Sequence, residues 1–323
     1  MKKRTKNILI TSGIAAAGIT VLSTVHRKTS KYFMNLAFDR DEPKKAEKEK
    51  KKISSSTKTS DTVTAVLEAA QKLENSPLET VEISGRDGVT LTGHWFYNEN
   101  AKRVIVAMHG WRSSWSQDFG IIAPFWQDND CAVLYAEQRG QGASGGDYMG
   151  FGLLERYDCL EWINWVNERT GGELPVYLGG ISMGATTVIK TGGLEPPENV
   201  RGIVADCAFT SPRAIWKHVV ESNLHLPYGI YSSAANELCK KKIQEDADYS
   251  TADALQNCDV PVMFIHGTDD RFVPIEMTYE NYKACRSKKR MFVVPGAEHG
   301  MSYMLDKEGY EEAVKKFWED NDK

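Results

Sequence analysis

The sequence lacks the short patterns that hold metals, nucleotides or redox-active thiols. Its seven histidines and six cysteines form no His-Glu-x-x-His motif and no Cys-x-x-Cys pair, so the common zinc and thiol-redox spacings are absent. The glycine-rich segment 139–142 has no Lys-Ser/Thr ending, and no Gly-x-Gly-x-x-Gly follows the first predicted strand. These absences exclude a P-loop and a dinucleotide-binding fingerprint. The sequence therefore predicts activity without a metal or a cofactor.

Positive charge is scarce outside the amino-terminal region. Residues 1–60 carry 15 Lys+Arg and 5 Asp+Glu, whereas the remaining residues carry 25 Lys+Arg and 39 Asp+Glu. A folded part with this acidic balance is a poor binder of nucleic acid, because the phosphate backbone is itself negative. The basic excess lies instead where a membrane-proximal segment would be.

Charge is also absent from residues 8–25 (ILITSGIAAAGITVLSTV), which follow the cationic residues 1–6. This stretch is at the short limit for a membrane-spanning helix, and the same layout fits a secretory signal peptide. The small-residue cleavage pattern occurs only inside the apolar run, at residues 15–17, and Arg27 and Lys28 follow the run closely. We therefore expect residues 1–30 to be an uncleaved membrane anchor, with a cleaved signal and a secreted protein as the alternative.

The basic residues that flank this stretch predict its orientation. They are Lys2, Lys3, Arg4 and Lys6 on one side and Arg27, Lys28 and Lys31 on the other. This modest bias places the amino terminus inside the cell and the catalytic domain outside, at the cell membrane. The six cysteines weigh against this orientation, because most lie in apolar sequence typical of free thiols, which are unusual in an oxidising exterior.

The composition divides the rest of the chain into a tether, a helix and a catalytic domain. Residues 31–60 are predicted to form a charged tether, since residues 39–60 are rich in charge and poor in apolar side chains. A leading helix is predicted over 61–77, with apolar residues at helical spacing and a stop at Pro77. We expect this helix to pack on the catalytic domain, residues 78–323.

From residue 78 the sequence alternates between apolar strands and helices. The predicted strands are 78–84, 89–97, 103–108, 131–136, 175–179, 202–205, 260–265 and 290–294. The predicted helices are 115–128, 153–168, 182–190, 277–284 and 310–319. An antiparallel hairpin followed by strand–helix repeats indicates an α/β protein with an eight-stranded, mostly parallel sheet and helices on both faces.

One glycine-rich stretch, Gly180-Ile181-Ser182-Met183-Gly184, joins a predicted strand to a predicted helix. A Gly-x-Ser-x-Gly in this context is typical of a nucleophile elbow, in which a strained turn exposes the serine hydroxyl at a helix amino terminus. Glycine is needed on either side because a side chain there would collide with the neighbouring strand or helix. The alternative is a glycine-rich turn without chemistry, since short motifs also occur by chance.

Further polar residues follow the ends of other predicted strands. His109 follows the third strand, and Asp206 ends the sixth. Asp270 lies in HGTDDRFVP after the seventh strand, and His299 lies in GAEHG after the eighth. Because the carboxyl ends of parallel strands meet at one edge of a sheet, we expect these side chains to lie near Ser182. The order Ser, Asp, His along the chain is that of the α/β hydrolases.

Six stretches carry a resemblance to a known family: HGWRSS, RGQGASGGDYMGFGLLERYD, GGISMG, ADCAFTSP, HGTDDRFVP and GAEHG. Through them, residues 78–320 resemble α/β-hydrolase-fold serine hydrolases, in particular bacterial membrane-anchored or exported hydrolases of the Bem46-like, serine-aminopeptidase-like group. The resemblance implies the α/β-hydrolase fold with a helical lid insertion, residues 207–255, after the sixth strand. Gln141 is a departure, because many relatives have His at this position, which is structural in the family.

The resemblance also implies the catalytic residues. Ser182 is the nucleophile, and His299 is the general base that takes its proton. The family pattern His-Gly-x-x-Asp-x-x-Val-Pro places the acid that orients the imidazole at Asp270. Asp269, one position earlier, and Asp206, at the end of the sixth strand, remain alternatives for this acid.

An oxyanion hole and a lid are implied by the same resemblance. The main-chain N–H groups of Met183, directly after the nucleophile, and of Trp111, in the loop after the third strand, are expected to bind the developing oxyanion. The lid contains many apolar residues, among them Phe209 and Trp216, so its apolar face is expected to line an acyl-binding cleft. The alternative is a helical hairpin with ordinary core contacts.

The sequence thus predicts a serine hydrolase that cleaves a carboxylic ester, with an apolar acyl group, through an acyl-enzyme. The expected partners are a small-molecule ester or acyl substrate and, through the amino-terminal segment, the membrane. A peptidase or aminopeptidase-like amide hydrolase is the alternative, although no acidic pair that would grip a peptide amine is evident. A non-catalytic hydrolase-like protein at the membrane is the remaining alternative.

Overall fold

The computed structural model describes residues 32, 35–41, 61–223, 225–230 and 232–322. The predicted membrane anchor (1–30) lies outside these residues, as does most of the predicted tether (31–60). No helix within the described ranges combines the length and the apolar character that crossing a bilayer requires. The predicted anchor and its orientation therefore stay predictions.

Eight strands form one sheet through the catalytic domain. They are β1 (Glu79–Ser84), β2 (Thr90–Phe96), β3 (Arg103–Met108), β4 (Cys131–Ala136), β5 (Val176–Ile181), β6 (Val200–Asp206), β7 (Val262–Gly267) and β8 (Lys289–Val294). Their order is β1-β2-β4-β3-β5-β6-β7-β8, with β2 antiparallel to both β1 and β4 and all other neighbours parallel. β3 and β4 are buried along their whole length and, apart from Arg103 at the start of β3, apolar, as expected for central strands covered on both faces. The predicted sheet is confirmed.

Helices cover both faces of this sheet. They are α1 (Asp61–Glu74), α2 (Trp115–Phe119), α3 (Ala123–Asp128), α4 (Glu155–Thr170), α5 (Met183–Gly192), α6 (Pro212–His218), α7 (Ser232–Ile243), α8 (Thr251–Gln256), α9 (Ile275–Ala284), α10 (Ser302–Leu305) and α11 (Lys307–Asn321). One apolar core lies between the sheet and α4, α5 and α8. A second core lies between the opposite face and α2, α3 and α11. This is the three-layer arrangement that an alternating strand–helix sequence produces.

The predicted helix over 115–128 is two helices in the structure, α2 and α3, separated by residues 120–122. A Cβ atom on Gly120 would lie 2.7 Å from the main-chain nitrogen of Ala70, so α1 approaches this point more closely than a side chain allows. Pro124 lies in the first turn of α3, where a proline is tolerated. Within one continuous helix the same proline would remove a backbone hydrogen bond, so the chain bends before it.

The predicted lid, residues 207–255, folds as α6, α7 and α8 with a π-helix (Val219–Asn223) and a 3-10 helix (Tyr228–Ile230). Its apolar side chains form a third core with residues from elsewhere in the chain. The ring centroid of Phe151 lies 5.3 Å from that of Trp216 and 6.2 Å from that of Phe209. These are the ordinary core contacts that the sequence leaves open as the alternative.

Residues 35–41 fall within the predicted tether, yet they pack against the catalytic domain. Phe38 is fully buried, and its ring centroid lies 5.0 Å from that of Trp216 and 5.7 Å from that of Phe151. The Met149 N–H donates to the Phe38 carbonyl at 2.7 Å. Burying an aromatic side chain of this size removes a large apolar area from water, which is why this stretch differs from the charged residues around it.

Candidate active site

Ser182 lies at the turn between β5 and α5, at the carboxyl edge of the sheet. Its backbone has φ +55° and ψ −114°, a strained conformation for a residue with a side chain. A Cβ atom on Gly180 would lie 2.4 Å from the Gly184 backbone, and one on Gly184 would lie 1.8 Å from the Met108 oxygen. Both glycines are therefore required by the turn, which has the geometry of a nucleophile elbow.

The structure brings Ser182, Asp270 and His299 together. The His299 Nε2 atom lies 3.0 Å from the Ser182 Oγ atom, and the His299 Nδ1 atom lies 2.6 Å from the Asp270 Oδ2 atom. When Nδ1–H donates to the carboxylate, the Nε2 lone pair is left to accept from the serine hydroxyl. The imidazole is 28% exposed and the carboxyl group is fully buried, so the base faces the space that a substrate would occupy.

Asp270 is held as a carboxylate by hydrogen-bond donors. Its Oδ1 atom accepts from the main-chain N–H groups of Phe272 at 2.9 Å and Val273 at 2.8 Å. Its Oδ2 atom also lies 3.2 Å from the Nε2 atom of the buried His266. Burial by itself would raise the pKa of Asp270, but the hydrogen bonds from His266 and His299 outweigh it and hold the pKa well below its usual value. The group is therefore ionised at neutral pH.

The two alternative acids are bonded elsewhere. Asp269 is exposed, and its Oδ1 atom accepts from the Thr268 hydroxyl at 2.9 Å. Asp206 is buried, and its Oδ1 atom accepts from the Ser302 hydroxyl at 3.1 Å. Burial raises the pKa of Asp206 to about 6. Of the three carboxyl groups that the sequence leaves open, Asp270 is the one that is hydrogen-bonded to the imidazole.

The loop after β3 is braced by buried and half-buried side chains. The Gly110 N–H donates to Asp118 Oδ2 at 2.6 Å, and the Arg112 N–H donates to Gln141 Oε1 at 2.6 Å. The φ of Arg112 is +52°, a left-handed value that a bulky residue adopts only where its surroundings hold it. His109 lies in the same loop, with its Nδ1 atom 2.8 Å from the Gly110 carbonyl oxygen. The Gln138 N–H donates to the His109 Nε2 atom at 3.1 Å, so this histidine joins the loop to the segment after β4.

The two main-chain N–H groups expected to form an oxyanion hole belong to Trp111, in this loop, and to Met183, directly after Ser182. Met183 is the first residue of α5, so its N–H has no partner within the helix. Across the described ranges, neither this N–H nor that of Trp111 donates to a protein group. A Cβ atom on Gly110 would lie 3.5 Å from the Ser182 Cβ atom, which places the braced loop directly beside the serine.

A cavity of about 400 Å³ opens beside Ser182 and extends along the sheet face that α2, α3 and α11 cover. Most of its lining side chains are apolar, among them Ile105, Phe119, Ile122, Trp126, Tyr177, Val204, Met301, Met304, Tyr310, Val314 and Trp318. In the part of the chain that the structure describes, no residue of the predicted lid (207–255) lines this cavity. The apolar side chains of the lid pack instead in the third core with Phe38 and Phe151, which agrees with the alternative of ordinary core contacts.

One cluster of metal-ligating atoms occurs among the described residues. Atoms of Cys207, Asp270 and His299 lie within 4.8 Å of one another. Burial raises the pKa of the Cys207 thiol well above its usual value, so the thiol stays protonated and is a poor ligand. The other two residues already share a hydrogen bond. The chemistry of the cluster therefore favours a proton relay over a metal site. Cys207 is one of six cysteines in the chain, all of which are buried free thiols.

Two supporting residues carry little signal in the sequence. Asp118 accepts from the Gly110 N–H eight positions away, and the one sequence cue is an acidic residue near the start of a predicted helix. His266 is recognisable as the histidine at the end of β7, but its approach to Asp270 depends on the turn that follows. Both contacts depend on loop conformations that local patterns do not specify.

Comparison with known proteins relates this geometry to one fold. Residues 99–238 match a family model described as serine aminopeptidase, S33. YqkD of Bacillus subtilis is 26% identical over 186 residues, 57% of this chain and 61% of YqkD. YfhR of Escherichia coli K12 is 24% identical over 229 residues, 68% of this chain and 73% of YfhR. The Pyrococcus furiosus esterase Pf2001 has a TM-score of 0.63 at 22% identity, covering 78% of this chain and 94% of the esterase.

Three observations indicate the same fold: the order of the strands, the elbow at Ser182 and the superposition on Pf2001. The family match adds a coarse chemical class, since its 140 residues include the elbow and the braced loop but end before Asp270 and His299. The chain therefore has the α/β-hydrolase fold, with a hydrolase match of the serine-aminopeptidase S33 type over residues 99–238.

Proposed function

We propose that the protein is a serine hydrolase that cleaves carboxylic esters with an apolar acyl group through an acyl-enzyme. The observation that supports this most directly is the hydrogen-bonded series Ser182–His299–Asp270 at the elbow. A serine hydroxyl is a weak nucleophile on its own, and an imidazole oriented by a buried carboxylate activates it. The Asp270 carboxylate is in the state that this role requires, because its hydrogen bonds hold its pKa low.

The reaction proceeds in two half-reactions. The Ser182 Oγ attacks the ester carbonyl carbon while His299 Nε2 takes the hydroxyl proton, and the carbonyl oxygen gains its charge beside the N–H groups of Trp111 and Met183. The imidazolium then gives its proton to the departing alcohol oxygen as the C–O bond breaks, which leaves the acyl group on Ser182. A water molecule repeats the sequence with His299 as base, and the carboxylic acid leaves.

An ester rather than an amide substrate is supported by the character of the cavity. Its lining is mostly apolar, and its two acidic groups are engaged: Asp118 accepts from Gly110 and Ser113, and Asp206 accepts from Ser302. The pKa of Asp206 is also raised to about 6 by burial, so part of its charge is lost near neutral pH. A peptide amine is bound best by a carboxylate that is fully ionised and not already hydrogen-bonded. The neighbour Pf2001 is described as an esterase.

Peptide hydrolysis is the second candidate, because the matching family model is described as a serine aminopeptidase. The two candidates differ in the substrate: a peptidase cleaves an amide next to a free amine, whereas an esterase cleaves an ester of an apolar acyl group. A panel that pairs p-nitrophenyl butyrate with aminoacyl p-nitroanilides separates them. We expect a higher kcat/KM for the butyrate ester, and a higher value for any aminoacyl amide would favour the peptidase.

The proposal is tested with Ser182→Ala and the control Asp269→Asn, a substitution in the exposed turn beside the acid. We expect Ser182→Ala to lose both p-nitrophenyl butyrate hydrolysis and labelling by a fluorophosphonate probe, and Asp269→Asn to keep both. Hydrolysis by Ser182→Ala at the parental rate would refute the nucleophile. Failure of the parental protein to react with the probe would favour the non-catalytic alternative instead.

We also propose that residues 1–30 anchor the protein in the cell membrane with the catalytic domain outside. The uncharged residues 8–25 and the basic residues on both sides support this, whereas the six free thiols argue against an oxidising exterior. Fractionation of cells that express the full chain, followed by protease treatment of intact cells, tests both points. Recovery of the protein in the soluble fraction would refute the membrane anchor. Protection of the catalytic domain from protease would refute the outward orientation.

A further inference from the structure

The geometry of the turn at Ser182 does not require a glycine at position 179. A Cβ atom on Gly179 would lie 3.6 Å from Ile105 Cγ2 and 3.9 Å from Trp126 Cζ2, both ordinary contact distances. On the next residue, Gly180, a Cβ atom would lie 2.4 Å from the backbone. A Cβ atom therefore fits at position 179. A longer side chain there would extend into the space next to Ile105 and Trp126.

That space is the cavity beside Ser182. Ile105 and Trp126 both line it, and side chains alternate along a strand, so position 179 faces the same side as Tyr177. The residue paired with Gly179 on β3, Ala107, is also small, and the residue paired with it on β6 is Val204. Glycine and alanine side by side leave the sheet surface low at this point of the cavity lining.

The part of the cavity that follows β5 is long enough for an alkyl chain. Its lining includes residues 177 to 181 of β5, which span four steps of about 3.3 Å each, or about 13 Å. A C–C bond of about 1.5 Å advances an extended chain by about 1.25 Å, so this length accommodates roughly ten carbons. Tyr177 lies at the end of this row farthest from Ser182, with its ring centroid 6.2 Å from that of Trp318, and both side chains are buried.

We propose that the substrate is an ester of an unbranched fatty acid whose acyl chain extends from Ser182 over Gly179 towards Trp318, and that Gly179 sets the length of chain accepted. The proposal rests on the proposed function of the site. The acyl group, rather than the alcohol, occupies this end because the buried side chains of Tyr177 and Trp318 lie there. An alcohol lying there would have to leave past the acylated serine, whereas the acyl group stays attached until water releases it.

The chain-length profile of p-nitrophenyl esters tests this proposal. For the parental protein we expect kcat/KM to rise about fourfold per added methylene, the equivalent of about 0.8 kcal/mol of burial, up to roughly ten carbons. Gly179→Val should lose the rise with length, so that the ratio of its kcat/KM on the decanoate ester to that on the acetate ester falls towards one, and Gly179→Ala should lie between. The control Val176→Ile adds volume to the opposite face of β5, where residue 176 packs in the other core, and should keep the parental profile.

Each outcome has a separate meaning. A flat profile in a parental protein whose activity depends on Ser182 would overturn the fatty-acyl substrate and leave the hydrolase standing. A parental profile in Gly179→Val would overturn the role of Gly179. A rise with the alcohol chain of alkyl acetates, instead of with the acyl chain, would overturn the orientation. Absence of activity on every ester, together with absence of fluorophosphonate labelling, would remove the proposed function itself.

A second inference rests on different contacts, those between residues 35–41 and the loop that carries the Trp111 N–H. The Trp111 Nε1–H donates to the Ala37 carbonyl at 2.9 Å. The Arg112 guanidinium donates to the Leu36 carbonyl at 2.9 Å and to the Asp39 carbonyl at 2.6 Å. Two consecutive residues of the loop are thus tied by their side chains to main-chain oxygens of the amino-terminal segment.

That segment is itself fixed by Phe38, which is fully buried between Phe151 and Trp216. We infer that residues 35–41 are a positioning segment, with Phe38 as its anchor, and that they hold the Trp111 N–H where the oxyanion forms. This inference also rests on the proposed function. Because an oxyanion donor acts in the transition state, its displacement lowers kcat and leaves substrate binding nearly unchanged.

Phe38→Ala tests this inference, with Phe38→Leu as the conservative variant. We expect Phe38→Ala to lower kcat on p-nitrophenyl butyrate at least about tenfold with little change in KM, since complete loss of one such donor costs about 10²–10³, and Phe38→Leu to restore most of it. Ile163→Ala truncates a side chain of α4 that is buried in a different core from Phe38. It controls for the loss of stability that any core truncation causes. An unchanged kcat in Phe38→Ala, or an equal fall in a folded Ile163→Ala, would overturn the inference.

Discussion

The assignment of the acid can be tested by replacing each of three carboxylates with its amide. Asp270→Asn keeps the shape of the side chain but presents an N–H₂ group or a weaker carbonyl acceptor to His299 Nδ1, 2.6 Å away. If the amide donates to Nδ1, the imidazole proton moves to Nε2, which then has no lone pair for the Ser182 hydroxyl 3.0 Å away. The substitution therefore removes the base without removing the imidazole.

The size of the effect follows from that loss of tautomer. In a triad of this type the amide substitution lowers kcat by about 10⁴-fold, which corresponds to about 5 kcal/mol of transition-state stabilisation. Asp206→Asn breaks no hydrogen bond to His299; it changes the pairing with Ser302 and removes a charge that acts on His266 and His299 without a direct contact, so we expect a fall of less than about tenfold. Asp269→Asn lies in an exposed turn and should be close to the parental protein.

The assay is kcat/KM for p-nitrophenyl butyrate near neutral pH, where Asp270 is ionised, with circular dichroism to confirm that each variant is folded. The predicted order is parental and Asp269→Asn together, then Asp206→Asn, then Asp270→Asn far below. A folded Asp270→Asn with activity within about tenfold of the parental protein would refute the reasoning. Equal losses in Asp206→Asn and Asp270→Asn would refute it as well, because they would mean that the imidazole can use either acid.

Three further predictions concern stability and the elbow. Gly184→Ala puts a Cβ atom 1.8 Å from the Met108 oxygen, so we expect loss of hydrolysis and a lower midpoint of urea unfolding. Burial raises the pKa of Asp206 from 3.8 to about 6, so the stabilisation from its protonated form is complete below about pH 4 and disappears as the pH rises through 6. Asp206→Asn should remove this contribution, about 3 kcal/mol, from the pH dependence of the free energy of unfolding. Burial lowers the pKa of Lys190 to about 7, and its Nζ atom has no hydrogen-bond partner within the described residues. The free energy of unfolding should therefore rise with pH between 7 and 10. Lys190→Met should remove this pH dependence and raise the free energy of unfolding at pH 7 by about 1–3 kcal/mol, measured by urea unfolding. A lower free energy of unfolding in Lys190→Met would contradict this.

Much of the fold can be predicted from the sequence because strands and turns depend on neighbouring residues. Apolar runs such as 103–108 and 131–136 become buried strands with the predicted bounds. The two glycines around Ser182 indicate the elbow, although only one of the two clashes is local. A side chain on Gly180 would meet the Gly184 backbone four positions on, whereas one on Gly184 would meet Met108 on β3, which is distant in sequence. The helix over 115–128 is predicted as one piece because its pattern is continuous, and the close approach of α1 at Gly120 is not visible locally.

The sequence by itself determined the strand–helix alternation and the placement of Ser182, Asp270 and His299 after the ends of strands. Only the tertiary structure decided which carboxyl group reaches the imidazole, because that contact spans 29 positions and the contact with the serine spans 117. It also decided that the apolar cavity lies under the sheet rather than under the lid, and that Phe38 packs into the domain. These features depend on which surfaces meet when the layers pack, and no short segment carries that information.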